Sequence, residues 1–229
     1  STEEICGVEA LIRWNHPIHG LLGPNMFIHG AEKTGLIIQM GYWALEQACK
    51  QIQIWENANQ MQFFPLAVNL SAIQFEHKHL FSILENLFSR YEIKNDRLMI
   101  EITESTAMHN IDTSLRSFLR LRQMGIKLAI DDFGTGHSSF LYLKQLPVDE
   151  LKIDRAFIKD LEQNSKDELI LESIVTLATN LGLTVTVEGV ETKFQKDVLK
   201  HLGCQQLQGF LLGKPMPIEE LEKRHSQLY

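Results

Sequence analysis

A chain of 229 residues, 44% of them apolar, can bury one sizeable core, so a single domain over 1–229 is the expectation. Its 22 Lys and Arg against 29 Asp and Glu give a net charge of -7, which disfavours binding to a nucleic-acid polymer. Three scattered cysteines, Cys6, Cys49 and Cys204, exclude a disulfide framework or zinc ribbon, and no apolar run reaches the roughly 20 residues of a membrane helix. Reduced, cytoplasmic surroundings are expected, although a longer parent protein could be membrane-tethered. The start Ser1-Thr2-Glu3-Glu4 is acidic where a signal peptide would be basic, and the missing initiator Met suggests a piece of a longer chain.

The predicted strands, in chain order, run over about Cys6 to Trp14, Phe64 to Leu70, Leu98 to Thr103, Ile126 to Ile130, Val148 to Asp154, Leu183 to Val187 and Cys204 to Phe210. Helical patterns lie between them. Trp43, Leu45 and Ala48 read as a core stripe. Phe75 to Tyr91 carries Leu80, Ile83, Leu84, Leu87 and Phe88 at helical spacing, and Thr113 to Met124 carries Leu115, Phe118, Leu119 and Leu121. Three times in the second half a helix ends in Gly directly before an apolar run, at Gly125, Gly182 and Gly203, which reads as repeated α/β units with a parallel sheet. His77 and His79, two apart, share no helix face and form no metal motif.

Asn69, Glu101, Asp131 with Asp132, Lys152 with Asp154, and Glu188 fall at or near the C-terminal ends of different predicted strands. In a (β/α) barrel those ends converge on one face, where such enzymes build their sites, whereas an open doubly wound sheet spreads them along a crevice. A barrel is therefore preferred. Within Leu98-Met99-Ile100-Glu101-Ile102-Thr103, alternation puts Glu101 on the face opposite Ile100 and Ile102, pointing inward. Inward carboxylates need a cation, and an oxygen donor set without a His or Cys cluster selects Mg²⁺ or Mn²⁺. Two such ions can clamp a phosphodiester and activate water. Lys152 then offers a fixed positive charge and Glu188 a second carboxylate for proton transfer or metal support.

Glu9-Ala10-Leu11, Val68-Asn69-Leu70-Ser71, Glu101-Ile102-Thr103-Glu104, Asp131-Asp132-Phe133-Gly134-Thr135-Gly136, Leu151 to Asp154, Glu188-Gly189-Val190-Glu191 and Gln208-Gly209-Phe210 together resemble the EAL domain of cyclic di-GMP phosphodiesterases. The resemblance implies an α/β fold of the TIM-like (β/α) barrel type and hydrolysis of cyclic di-GMP to linear pGpG. By that likeness Glu9, Asn69, Glu101 and Asp131 are ligands of one metal, and Asp131 bridges to a second held by Asp132 and, directly or through water, Glu188. Lys152 resembles the family's lysine beside the nucleophilic water. Glu188 is the proposed general base, with metal-bound hydroxide as the alternative. Leu11, Arg13, Asp154, Gln208 and Glu191 match substrate positions, and Glu104 matches the acid that supports the loop after the Asp131 strand, a loop that takes part in the family's dimer contacts.

His137, Val187 and His29 depart from the family's usual residues without removing a ligand. The family also has a helix and first strand ahead of the Glu9 strand, for which this chain begins too late, so an N-terminally truncated barrel is expected, joined to an upstream regulatory domain. A homodimer is the expected assembly. A non-catalytic cyclic di-GMP receptor, or a hydrolase of another phosphodiester, is the alternative function.

Overall fold

The computed structural model describes residues 4–58, 64–135, 140–161 and 166–228, so the reading of His137 lies outside the described residues. The chain forms two compact units. One comprises Ser1–Ile102, Arg120–Lys127 and Leu228, and the other Thr103–Leu119, Leu128–Gln227 and Tyr229.

In the first unit, β1 (Val8–Ala10) pairs parallel with β4 (Leu66–Asn69), which pairs parallel with β5 (Leu98–Thr103). Leu66, Ala67 and Val68 of β4 are buried, as is every residue of β5 up to Ile102, which is the continuous apolar character expected of parallel strands covered on both faces. One expectation is corrected here. The strand read over Cys6 to Trp14 ends at Ala10, and Trp14–His16 instead forms β2 of a small antiparallel hairpin with β3 (Gly20–Leu22). His16-Pro17-Ile18-His19-Gly20 is its turn; His16 Nδ1 accepts from the backbone N–H groups of Ile18 and His19.

Helix α1 (Ile28–Thr34) leads into α2 (Leu36–Asn57), whose buried stripe is Ile37, Gly41, Leu45, Ala48, Cys49, Ile52 and Trp55. Trp43 is 54% exposed, which corrects its place in the stripe. It lies two residues from both Gly41 and Leu45, about 200° around the helix from each. Burial pushes the Cys49 thiol up to about 12, with the Glu46 charge adding to the effect. The helical pattern from Phe75 is two pieces, α3 (Ala72–Phe75) and α4 (Leu80–Tyr91), and α4 buries Leu80, Leu84, Leu87 and Phe88. Each such side chain contributes about 1.5–3 kcal/mol on burial.

The second unit begins with Thr103, the last residue of β5, followed by α5 (Glu104–His109). The following helix α6 (Ile111–Gln123) buries Phe118 and Leu121, whereas Leu119, read as part of the same stripe, is exposed. Strands β6 (Lys127–Phe133), β7 (Glu150–Ile153), β8 (Thr184–Val187) and β9 (Gln206–Leu207) pair in parallel in chain order, with α7 (Phe140–Leu143), α8 (Lys166–Asn180) and α9 (Lys193–His201) between them and α10 (Ile218–Leu228) after. All seven predicted strands are therefore present, each shorter than or shifted from its predicted range except β5. Gly125, Gly182 and Gly203 have φ between 80° and 83°, as the helix-to-strand reading requires. No helix among the described residues is long and apolar enough to cross a membrane.

Candidate active site

Strand ends position the polar groups in each unit. In the first, β1 carries Glu9 and β4 ends at Asn69, whose Nδ2 donates to Glu9 Oε1 at 2.6 Å. Asn69 stands in register with Glu101 of β5, and Leu70 N donates to Glu101 O at 3.0 Å. Glu101 is only 2% exposed despite its charge. Leu11 is exposed and Arg13 half-buried in the segment between β1 and β2, with Arg13 Nη1 donating to Ile12 O.

In the second unit, Asp131 and Asp132 lie in β6, Lys152 in β7 and Glu188 directly after β8. Carboxylate oxygens of Asp131, Asp132 and Glu188 all lie within 4.8 Å of one another. Lys152 Nζ is 2.7 Å from Glu188 Oε1 and 3.7 Å from Asp131 Oδ1, and Lys152 is 2% exposed. An ammonium so placed is the internal counter-charge of three clustered carboxylates, and it argues against the snorkelling surface role open to any lysine.

Adjacent strand residues ordinarily face opposite ways, so two successive aspartates meeting Glu188 needs an explanation. The pairing of β6 with β7 shifts register between Ile130 and Phe133, and Asp132 has φ 53°. This bulge, with Asp132 in the left-handed region that Asp tolerates better than most residues, brings both carboxylates into one cluster. Asp132 N donates to Asp131 Oδ1 at 2.9 Å, which orients the Asp131 carboxylate. The only sequence signal for the bulge is the Asp-Asp pair itself.

Downstream of the bulge, Gly134 N donates to Glu104 Oε2 at 2.7 Å, and Glu104 is buried. Gly134 has φ 94°, and a Cβ there would stand 2.1 Å from the Phe157 ring. Gly134→Ala is therefore expected to destabilise the protein by about 2 kcal/mol or more, from backbone strain and the clash together. Thermal unfolding checks this, and an unchanged melting temperature would show that the loop takes another path.

Asp154 Oδ1 accepts from Ala156 N at 2.9 Å, capping the 3-10 turn Arg155–Phe157. Gln208 donates its N–H to Val187 O and accepts at its carbonyl from Val190 N, and Glu191 is exposed. Sequence reasoning missed a polar row on the Lys152 face of the sheet. Glu150, two residues before Lys152, accepts from Thr186 Oγ1 at 2.6 Å, and Gln206 lies 3.1 Å from the same hydroxyl. The alternation Glu150-Leu151-Lys152-Ile153-Asp154 was the available signal.

The donor set suits a hard divalent cation. Three carboxylates offer only oxygen, and their charge exceeds what one lysine neutralises. Residues 1–215 match the model of the EAL domain family. The chain belongs to that family. The EAL domain is 51% identical over 215 residues to the bifunctional diguanylate cyclase/cyclic di-GMP phosphodiesterase MucR of Pseudomonas aeruginosa, covering 94% of this chain and 31% of that protein. It is 39% identical over 220 residues to the cyclic di-GMP phosphodiesterase NbdA of the same organism, covering 96% of this chain and 28% of that one. The chain thus spans about a third of the length of these curated relatives. Among solved structures, the PaMucR phosphodiesterase in complex with c-di-GMP aligns with a TM-score of 0.91 at 50% identity, over 95% of this chain and 88% of that one. The EAL domain is accordingly an α/β fold of the TIM-barrel-like EAL type.

Proposed function

We propose that this EAL domain, read as one functional unit over 1–229, hydrolyses cyclic di-GMP to linear pGpG in a reaction that depends on two Mg²⁺ or Mn²⁺ ions. The observation that carries the reading is the Asp131, Asp132 and Glu188 cluster with Lys152 set 2.7 Å from Glu188. The names of MucR and NbdA and the ligand of the PaMucR structure support the choice of substrate.

Asp131, Asp132 and Glu188 are the proposed metal ligands whose geometry is described above, and family membership alone extends the set to Glu9, Asn69 and Glu101. Ions held by these residues would supply positive charge to the phosphodiester and lower the pKa of a water. Lys152 keeps its ammonium beside the attacking oxygen and orients Glu188 through their ion pair. Glu188 takes a proton from the attacking water. Water adds across one P–O bond, leaving a phosphate on one guanosine and a hydroxyl on the other, with the departing oxygen taking up a proton. Leu11, Arg13, Asp154, Glu191 and Gln208 are the proposed substrate contacts. Arg13 offers a fork-shaped donor set suited to a phosphate oxygen. We place this activity in the cytoplasm of a bacterium, in a homodimer whose contact includes the loop that Glu104 braces.

The reading is tested by stripping the protein with a chelator and restoring one ion at a time. Mg²⁺ and Mn²⁺ are expected to restore hydrolysis and Ca²⁺ is not, because calcium prefers longer, looser coordination and acidifies water poorly. Full activity after chelation, or equal rates with Ca²⁺ and Mg²⁺, would sink the metal-dependent mechanism.

A further inference from the structure

The loop after β8 is held in two different ways. Main-chain bonds hold its first half, where Glu188 N donates to Ile153 O at 3.0 Å and Val190 N donates to Gln208 O at 3.0 Å. Its second half depends on one side chain. Gln195 Oε1 accepts from Glu191 N at 2.9 Å and from Thr192 N at 3.0 Å, while its Nε2 donates to Ile158 O at 2.8 Å. Only an amide in this orientation satisfies two donors and one acceptor together.

Gln195 is the third residue of α9 and completes a capping box with Thr192. Such a residue commonly lies at the surface, yet this one is only 8% exposed and reaches into another connection. Ile158 directly follows the 3-10 turn Arg155–Phe157 that Asp154 caps. Gln195 therefore ties the segment carrying Asp154 to the segment carrying Glu191. The two segments also touch at Gly189, where a Cβ would stand 2.3 Å from Arg155 Cβ.

The first unit repeats the device. Gln74, third residue of α3, forms a capping box with Ser71 just beyond Asn69, is buried, and donates through Nε2 to Ile37 O at 2.6 Å. Gly41 leaves room for it, since a Cβ there would collide with Gln74 Nε2. In both units a buried capping glutamine fastens the segment after a site-bearing strand end to a main-chain carbonyl distant in sequence, Ile37 O in the first turn of α2 or Ile158 O after the 3-10 turn.

We propose that Gln195 is a positioning residue that sets affinity for the cyclic dinucleotide by holding Asp154 and Glu191 in their mutual arrangement. Because Glu188 is anchored independently through Ile153, the rate of the chemical step does not depend on Gln195. This inference rests on the reading in which Asp154 and Glu191 contact the substrate.

The test compares Gln195→Met, Gln195→Glu and Leu199→Ala, Leu199 being a fully buried residue of the same helix that serves as a stability control. Steady-state kinetics on cyclic di-GMP with Mg²⁺ are measured beside hydrogen exchange at the Glu191 and Thr192 amides. Gln195→Met is expected to raise KM on the order of tenfold, with kcat changed less than about threefold and with faster exchange at both amides. Gln195→Glu keeps the acceptor oxygens and loses the bond to Ile158, so its KM should lie between, and it remains informative if the Met variant does not fold. Leu199→Ala should lower thermal stability and leave KM alone. A KM in the Gln195 variants no higher than in Leu199→Ala, or a loss confined to kcat, overturns the positioning role while leaving the phosphodiesterase reading intact. A wild-type protein that neither binds nor hydrolyses cyclic di-GMP overturns both.

Discussion

Asp131→Asn is expected to lower turnover of cyclic di-GMP on the order of a thousandfold. Asp131 is buried at 8% exposure, within 4.8 Å of the Asp132 and Glu188 oxygens and 3.7 Å from Lys152. Asparagine keeps the shape but removes the charge and replaces one acceptor oxygen by a donor that faces cations poorly. Asp132 and Glu188 already belong to the same cluster, so neither carboxylate is spare to replace that of Asp131. Binding of substrate should weaken much less than turnover, since the proposed base and phosphate contacts lie on other residues. The check is kcat at saturating Mg²⁺ together with calorimetric binding. More than about a tenth of wild-type turnover would remove Asp131 from the centre of the mechanism.

Lys152→Met should have a comparable effect on turnover and a second effect on stability. The ammonium is nearly sealed from solvent and pairs with Glu188 at 2.7 Å. Removing one partner of a buried pair costs about 3–5 kcal/mol, here reduced because the Glu188 side chain keeps some solvent contact. Without bound metal the variant holds three carboxylates whose principal counter-charge has gone. It should therefore melt well below wild type in chelator, and added Mg²⁺ should raise its melting temperature more than it raises that of wild type. Equal responses to Mg²⁺, or turnover within tenfold of wild type, would show that Lys152 neither balances the cluster nor serves the reaction.

Most of the strand framework was legible because parallel strands buried on both faces leave continuous apolar runs, and a left-handed Gly before three of them, at Gly125, Gly182 and Gly203, marks the preceding helix end. The polar residues stood out for the same reason. Glu101 interrupts Leu98 to Ile102, and Lys152 interrupts Leu151 to Ile153, at positions where a charge is costly. What could not be read depends on contacts distant in sequence or on backbone geometry. Trp43 resembles a core residue until the phase of α2 is set by Leu45, Cys49 and Ile52. The β2–β3 hairpin is hidden because three-residue strands give no periodicity. The bulge at Asp132 and the buried row of Glu150 and Thr186 emerge only once β6, β7 and β8 are in register. Gln74 and Gln195 look like ordinary helix-capping residues until their long-range carbonyl partners, Ile37 and Ile158, are known.

The most direct test of the account is to incubate the purified domain with cyclic di-GMP and Mg²⁺ and to identify the products by chromatography and mass. The account predicts consumption of the cyclic dinucleotide and accumulation of linear pGpG, abolished by chelator and absent with Asp131→Asn. Binding of cyclic di-GMP with no product at any concentration of Mg²⁺ or Mn²⁺ would contradict it and make the domain a receptor rather than a hydrolase.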